Sequence, residues 1–180
     1  MIFRSEGHLI RNREITFMEE VCLRPAELKD IMVLWKTRND PETRKYSLSL
    51  DYIPYSNYKR WLETALNSDL YALFIITDSQ NQPIGQVRFA FNAGLSAEVS
   101  IALLWNQRGR GYGTAALLKA LEIGYRRFNL NELYALIKSE NIPSIKAFIK
   151  AGFANQGTVL LEETVCLKFV NKKPRDVKNP

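Results

Sequence analysis

Histidine and cysteine are scarce in this chain, which has one His and two Cys among its 180 residues. His8 stands near the N-terminus, while Cys22 and Cys166 lie far apart in apolar stretches without a Cys-x-x-Cys spacing. So few ligating side chains exclude a Cys/His zinc site and a Cys–His nucleophile pair. We therefore expect no metal cofactor, and we expect both cysteines to be buried thiols in a reducing compartment.

Long apolar runs are also missing. A membrane-spanning helix needs about 20 apolar residues, which no stretch of this chain provides, and residues 1–8 lack the apolar core of a signal peptide. These absences predict a cytoplasmic protein with no membrane partner. The composition, 46% hydrophobic and 24% charged, fits one domain over residues 1–170, in which residues 1–17 form an N-terminal extension.

Positive charge is concentrated at the two ends of the chain. The formal net charge is +6. Residues 171–180 hold four basic residues and one acidic residue, a net +3, and residues 1–17 hold three basic and two acidic residues, a net +1. Only +2 remains for residues 18–170, which argues against a nucleic-acid partner. The polar, proline-containing segment 171–180 is predicted to be a disordered basic tail.

One stretch, from Ser100 to Thr114, combines an apolar run, three closely spaced glycines and the start of a helical pattern. This order predicts a strand, a tight loop and a helix N-terminus, where unpaired amides and the helix dipole favour a phosphate. A Walker loop is excluded because no lysine follows the last glycine, and a dinucleotide fingerprint would need glycine where Thr114 stands. We interpret the stretch as a phosphate-binding loop of another kind.

Two motifs in this half of the chain resemble those of the GNAT superfamily of acyl-CoA-dependent N-acetyltransferases. Motif A, Arg/Gln-x-x-Gly-x-Gly/Ala, is similar to Arg108-Gly-Arg-Gly111-Tyr-Gly113. Motif B is similar to Asn141-Ile-Pro-Ser144-Ile-Lys-Ala-Phe148-Ile-Lys-Ala-Gly152-Phe153. The resemblance, which extends over residues 21–169, implies an α/β (mixed α+β) GNAT fold. Its twisted mixed sheet would have about seven strands, flanked by about four helices and splayed after the fourth strand.

Hydrophobic periodicity predicts the element order β-α-α-β-β-β-α-β-α-β-β. A first strand is expected at Glu20–Arg24, with a further strand around residues 15–18 before it. The first helix is expected to bury Leu28, Ile31, Met32 and Trp35. Segment 37–47 has no clear period and is predicted to be a loop, after which Ser56 would cap the second helix. Later strands are expected at residues 71–77, 84–91, 98–104, 132–138, 155–160 and 164–170.

The resemblance implies acetyl-CoA as co-substrate, with its diphosphate on the backbone of residues 108–114 and its arm along the edge of the fourth strand. The implied cofactor-binding residues are Ile101, Leu103, Leu104, Arg108, Gly109, Arg110, Gly111, Tyr112, Gly113, Thr114, Asn141, Ser144 and Phe148. For Asn141 and Ser144, plain helix capping is an alternative role.

Proton transfer is the next requirement, because an amine must lose a proton before it attacks a thioester. Glu98 is the single acid on the strand that enters the loop, and we expect it to be the general base. Many relatives have a tyrosine as general acid in motif B, where this chain has Phe148. The proton for the leaving thiolate could then come from water or from another tyrosine such as Tyr134, and the sequence leaves this open.

The acceptor is expected to contact the N-terminal half, at Arg38, Asn39, Arg44, Ser47 and Arg88. The run from Trp35 to Ser47 is similar to a Trp-Arg-Asn-x-Pro-x-x-Arg-x-x-Ser pattern of acetyltransferases of nucleotide-linked amino sugars, including the pseudaminic acid pathway, with Lys36-Thr37 intervening. This resemblance implies acetylation of a UDP-linked 4-amino-4,6-dideoxy sugar. A ribosomal-type protein N-terminal acetyltransferase, a non-catalytic acyl-CoA-binding module and a solvated basic face remain alternatives, as do a monomer and a homodimer.

Overall fold

A mixed sheet of seven strands organises the part of the chain that the computed structural model describes, residues 20–92, 94–161 and 163–174. The strands are β1 (Cys22–Pro25), β2 (Tyr71–Thr77), β3 (Pro83–Phe91), β4 (Ser96–Leu103), β5 (Glu132–Lys138), β6 (Ala154–Leu161) and β7 (Thr164–Lys172). The helices are α1 (Ile31–Asn39), α2 (Pro41–Tyr46), α3 (Tyr55–Leu66), α4 (Tyr112–Arg126) and α5 (Ile142–Lys150). The spatial order of the strands is β1-β2-β3-β4-β5-β7-β6.

The sheet divides between β4 and β5, its one parallel pair in the described residues. These strands pair only where Ser96–Glu98 lie beside Glu132–Tyr134. Beyond Glu98 they diverge, whereas β3 and β4 stay paired as far as Leu103. The expected splay after the fourth strand is therefore confirmed, and it leaves one edge of β4 open.

Alternate residues of the strands supply two separate hydrophobic cores. One face packs against α4 and α5 and buries Phe89, Val99 and Leu133, among others. On the opposite face, α1 and α3 cover β2 with a second cluster that includes Leu34 and Leu62. Both faces of the sheet are thus covered, as expected for an α/β domain.

Several boundaries differ from those predicted. In the first helix Leu28 and Met32 are exposed while Ile31, Leu34 and Thr37 are buried, because residues 28–30 form a separate 3-10 turn that shifts the register. Helix α3 begins at Tyr55 with Pro54 at the N-cap, so the prediction of Ser56 as the cap was wrong. Segment 37–47 is not a loop, since it contains the end of α1 and all of α2.

The ends of the fold and the two cysteines also differ in part from expectation. Cys166 is buried as predicted, but Cys22 is exposed because it begins the edge strand β1. Strand β7 continues to Lys172, so residues 171 and 172 are not part of a tail. The strand predicted around residues 15–18 and residues 175–180 lie outside the described residues. No helix in the described ranges is long and apolar enough to cross a membrane.

Gly85 provides a test of the β3–β4 packing. A methyl group at this position would overlap the backbone oxygen of Ala102 and lie 2.8 Å from a side-chain carbon of Leu103. We expect Gly85→Ala to lower the free energy of unfolding by about 1–3 kcal/mol, the usual range for overpacking. Urea denaturation measures this loss. Gly124→Ala is the matched control, because its methyl group would meet only the movable side chain of Leu133; equal stability of the two variants would contradict the packing described.

Candidate active site

The glycine loop lies between the end of β4 and the first turn of α4. Gly109 has φ 75° and Gly111 has φ 86°, left-handed conformations that favour glycine. A Cβ atom at either residue would meet no atom within 4 Å, so the space beside the loop is open. Gly111 is the N-cap of α4, and no side chain caps this end. The first-turn amides of Gly113 and Thr114 point out of the helix, a geometry suited to a phosphate.

The open edge of β4 presents backbone groups in a defined alternation. The amide of Leu104 donates to the carbonyl of Ile84 at 2.9 Å. Ile84 and Leu104 are therefore a hydrogen-bonded pair of the antiparallel ladder between β3 and β4. Because such pairs alternate, the amides and carbonyls of Ile101 and Leu103 face away from β3, toward the gap. An extended pantetheine arm can pair with the backbone of Ile101 and with the amide of Leu103, whose carbonyl already accepts two hydrogen bonds from Arg108. It cannot pair with the amide of Leu104, which is already bonded.

Arg108 turns its side chain away from the glycines. The guanidinium donates to the carbonyl of Leu103 from Nε at 3.2 Å and from Nη2 at 3.1 Å. Nη2 also lies 2.6 Å from Oδ1 of Asp40 and 3.1 Å from Oγ1 of Thr43. Arg110, by contrast, donates to Gln107 at 3.0 Å and lies over the ring of Tyr112, which is buried. The arginine of motif A therefore ties the loop to the α1–α2 junction.

Motif B forms the N-terminal end and the inner face of α5. Asn141 is the N-cap, and its Oδ1 accepts from the amide of Ser144 at 3.2 Å, so the capping role is present in the structure. Phe148 is 2% exposed and packs against Phe153 at a centroid distance of 4.9 Å. Gly152 has φ 89° at the end of the helix. Phe148 is therefore a core residue, with no hydroxyl to offer a leaving group.

Glu98 is the last residue of β4 that is paired with β5, so it lies where the gap opens. It is half-buried, and its carboxylate forms no hydrogen bond or ion pair with any described residue. Its neighbour across the pairing is Tyr134, whose hydroxyl accepts from Nδ2 of Asn92 at 2.7 Å. Lys168 lies 5.1 Å from the Tyr134 ring. Glu98 is thus an unengaged carboxylate at the branch point of the sheet.

Three arginines from different elements converge on the sheet face that carries Glu98. Arg38 lies in the last turn of α1, Arg44 in α2, and Arg88 on β3 opposite Ser100. Burial lowers the pKa of the Arg38 guanidinium, and the positive charges of Arg88 and Arg44 lower it further. We call Arg38, Arg44 and Arg88 the arginine cluster.

Some donors of the arginine cluster have no acceptor among the described residues. Among the described residues, the buried side-chain nitrogens without a hydrogen-bond partner are Arg38 Nη1, Arg44 Nε and Arg88 Nε. Arg38 and Arg44 each donate to one backbone carbonyl, of Ser49 at 3.3 Å and of Leu50 at 3.2 Å. No described carboxylate lies within ion-pair distance of the cluster. An unpaired buried donor costs about 1–3 kcal/mol, so an acceptor supplied by a ligand would stabilise this arrangement.

The other two residues predicted to contact the acceptor, Asn39 and Ser47, form hydrogen bonds with backbone groups. Asn39 bonds both backbone groups of Ile53, donating at 3.0 Å and accepting at 2.8 Å. Ser47 donates its hydroxyl to the carbonyl of Thr43 at 2.8 Å. These bonds position the segment that follows α2, and they occupy the side chains of both residues.

Sequence reasoning missed Asp40 and Tyr58. Asp40 is the N-cap of α2 with Pro41 in the first turn, a helix-start signal that could have been read from the sequence. Tyr58 lies buried on α3 close to Arg88 and Arg38; burial raises the pKa of its hydroxyl, and the two arginines oppose that change. No sequence signal distinguishes Tyr58 from an ordinary core tyrosine. In the described residues, no cluster of His, Cys, Asp and Glu could hold a metal ion.

Comparison with known proteins identifies the family. The family model for the acetyltransferase (GNAT) domain matches residues 20–154. The chain belongs to the GNAT family. It is 28% identical over 150 residues to the uncharacterized N-acetyltransferase p20 of Bacillus licheniformis, over 80% of this chain and 84% of that protein. Spermidine N(1)-acetyltransferase of Vibrio cholerae is 23% identical over 161 residues, 88% of this chain and 90% of that protein.

Solved structures show the same fold at low sequence identity. Spermidine N-acetyltransferase from Vibrio cholerae, in complex with CoA and spermine, matches with a TM-score of 0.78 and 19% identity, over 84% of this chain and 95% of that one. An aminoglycoside acetyltransferase in complex with coenzyme A matches with a TM-score of 0.74 and 18% identity, over 86% of this chain and 95% of that one. This GNAT protein is an acetyl-CoA-dependent N-acetyltransferase, and acetyl-CoA is its co-substrate.

Gly113 tests the role of the glycine loop in this GNAT protein. A Cβ atom there would lie 3.8 Å from Leu103 and 3.9 Å from Ala147, ordinary contacts that the fold tolerates. We expect Gly113→Val to raise the acetyl-CoA Kd at least about tenfold, or about 1.4 kcal/mol, because the side chain would occupy the space for the diphosphate. Isothermal titration calorimetry measures this, with the unliganded melting temperature as control. Gly111→Val should have the same effect with added backbone strain; unchanged affinity in both would contradict the loop assignment.

Glu98 can be tested by removing its charge while keeping its size. We expect Glu98→Gln to lower kcat roughly a hundredfold, within the usual range for a general base, and to leave the acetyl-CoA Kd nearly unchanged. The pH–rate profile should lose its acidic limb, because that limb reports ionisation of the base. A profile identical to that of the wild type would remove Glu98 from the mechanism.

Proposed function

We propose that the acceptor amine belongs to a molecule with phosphate groups, a UDP-linked 4-amino-4,6-dideoxy sugar. The observation that supports this proposal is the arginine cluster, Arg38, Arg44 and Arg88, which has neither a carboxylate partner nor acceptors for three buried nitrogens. Guanidinium groups bind phosphate oxygens with paired hydrogen bonds, so a diphosphate satisfies several such donors at once.

The position of the cluster fits an acceptor that reaches Glu98. Arg88 is opposite Ser100, two residues along the same face of β4 from Glu98. Side chains related in this way have Cβ atoms about 7–8 Å apart. A diphosphate held by the arginines would therefore leave a sugar-sized distance to the branch point of the sheet, where an amine could meet the thioester.

Charge distinguishes this chain's acceptor from those of the named relatives. The names of two relatives specify spermidine and an aminoglycoside, which are polycationic amines. Three arginines with no described carboxylate within ion-pair distance would repel such molecules, since like charges in a partly desolvated site cost more than in water. Across the gap, Lys138 of β5 donates to the carbonyl of Lys45 at 3.3 Å and adds further positive charge.

The residues of this chain can then divide the chemistry between them. The glycine loop and the open edge of β4 would hold acetyl-CoA, which supplies an acetyl group activated as a thioester. Glu98 would accept the proton that the ammonium form of the acceptor loses. The nitrogen–carbon bond would form as the carbon–sulfur bond breaks, and the thiolate would leave with the sulfur electron pair. The new amide nitrogen would release its second proton to water, and the thiolate would take a proton from water. No side chain of motif B is needed for that last step.

A panel of acceptors tests the proposal. Thiol release from acetyl-CoA is measured with UDP-linked amino sugars, spermidine, an aminoglycoside and ribosomal-protein N-terminal peptides. We expect kcat/KM to be highest for a UDP-linked 4-amino-4,6-dideoxy sugar. Turnover of the peptides without the sugars would replace the proposal with the N-terminal acetyltransferase alternative, and preference for spermidine would overturn the argument from charge.

Removal of single arginines tests the site directly. We expect Arg44→Ala and Arg88→Ala each to raise the KM for the nucleotide sugar at least about tenfold, since a charged hydrogen bond contributes about 1.5–3 kcal/mol. The KM for acetyl-CoA should stay near its original value. Arg126→Ala is the matched control, because Arg126 is 82% exposed in the last turn of α4 and, within the part of the chain that the structure describes, pairs only with Glu122. If all three variants behave alike, the cluster does not bind the acceptor.

A further inference from the structure

Helix α2 contributes no fully buried side chain to the fold. It has six residues, and none of them is fully buried. A helix this short is unstable by itself, and most helical stability in proteins comes from packing of an apolar face. Hydrogen bonds and ion pairs with its neighbours therefore contribute much of what fixes its position. This matters for function because α2 carries Arg44, a member of the arginine cluster.

The N-terminal end of α2 depends on Asp40. Oδ1 of Asp40 accepts from the amide of Thr43 at 3.0 Å as the helix cap. The same oxygen lies 2.6 Å from Nη2 of Arg108. The carboxylate is 17% exposed, and although burial opposes ionisation, the bonds from Arg108 and Thr43 hold the pKa of Asp40 below its ordinary value. One oxygen of the ionised Asp40 carboxylate thus caps the helix and also binds Arg108, the residue that directly precedes Gly109 of the glycine loop.

The contacts of α2 with residues other than Arg108 that lie beyond its two caps are longer. Arg44 donates to the carbonyl of Leu50 at 3.2 Å, and Lys138 donates to the carbonyl of Lys45 at 3.3 Å. Arg108, in contrast, reaches Asp40 and Thr43 while it also donates twice to the carbonyl of Leu103. The guanidinium of Arg108 therefore joins three parts of the molecule: the end of β4, the glycine loop and the helix that carries Arg44.

We infer that the Asp40–Arg108 ion pair couples the two substrate sites, so that occupation of the glycine loop by CoA stabilises α2 and thereby the arginine cluster. Arg108 is a positioning residue in this arrangement. A diphosphate on the loop amides fixes the backbone beside Arg108, which fixes the Asp40 contact and the start of α2. Because such coupling is reciprocal, a ligand on the arginine cluster raises the affinity for CoA by the same factor. The role of the cluster in this inference rests on the proposed function.

Asp40→Asn removes the charge of the ion pair and keeps the cap, because asparagine caps helices as well as aspartate does. A neutral oxygen binds Arg108 more weakly than the carboxylate does. The readout is hydrogen–deuterium exchange of segment 41–47 in the full-length protein, with and without CoA. In the wild type we expect CoA to slow exchange in this segment at least about fivefold, the lower end of usual coupling factors. In Asp40→Asn we expect less than a twofold effect at saturating CoA.

A matched control separates this effect from a general loss of stability. Asp30→Asn removes the other short arginine–carboxylate pair, Arg24–Asp30 at 2.7 Å, which lies at the opposite end of α1. We expect this variant to lower the melting temperature and to keep the CoA effect on segment 41–47. Wild-type protein that shows no CoA effect on the segment, or Asp40→Asn protein that keeps it in full, would overturn the inference.

Affinity for UDP distinguishes failure of the inference from failure of the proposed function. We expect UDP to bind wild-type protein at least about fivefold more tightly with CoA present, and we expect Asp40→Asn to lose this difference. Protection of segment 41–47 by CoA, in a protein that binds no UDP, would refute the nucleotide-sugar acceptor and leave the coupling intact. Binding of UDP with equal affinity in the presence and absence of CoA would refute the coupling and leave the acceptor intact.

Discussion

The separation of β4 from β5 after Glu98 is the constraint on which the site depends. Two neighbouring strands that part in the middle of a sheet leave backbone donors and acceptors without partners, which is unfavourable unless water or a ligand replaces them. Here the unpaired groups of Ile101 and Leu103 face the gap, and the carbonyl of Leu103 is partly satisfied by Arg108. The same gap exposes Glu98 at its closed end. A cofactor that adds an extended arm to this edge restores the missing pairing.

The arginines of the site differ in how many of their side-chain donors have hydrogen-bond acceptors. Arg108 is fully engaged, with bonds to Leu103, Asp40 and Thr43, and it serves the architecture of the loop. The side chain of Arg88 forms no hydrogen bond with any described residue, although it is half-buried. A buried cation without partners is costly, and such a group persists in a fold when a ligand uses it. Hydrogen-bond satisfaction therefore separates the arginine that builds the site from those available to an acceptor.

The sequence predicted the cofactor half of the site better than the acceptor half. Strand β2 and strand β5 were predicted with the correct ends, and the glycine loop lies where its spacing indicated, because local periodicity and glycine conformation determine these features. Helix α2 was missed, since none of its six residues is fully buried and they leave no apolar period to detect. Its start signal at Asp40-Pro41 was local and readable. The sequence could not predict that side-chain nitrogens of Arg38, Arg44 and Arg88 lack hydrogen-bond acceptors. Whether a donor finds an acceptor depends on residues that are distant in the chain.

The replacement of the motif B tyrosine by Phe148 is consistent with catalysis once the two proton transfers are weighed separately. A primary alkyl amine has a pKa of about 10.4, so at neutral pH nearly all of it must lose a proton before attack, which makes a base essential. A thiol has a pKa of about 8.5, so the departing thiolate is only slightly unstable at the same pH and water suffices to protonate it. Phe148, 2% exposed against Phe153, then contributes to the core of α5, where a hydroxyl would need a partner. The chain can give up the general acid at small cost, but it cannot give up the base. We propose Glu98 for that role, because its carboxylate is left unengaged where the sheet divides.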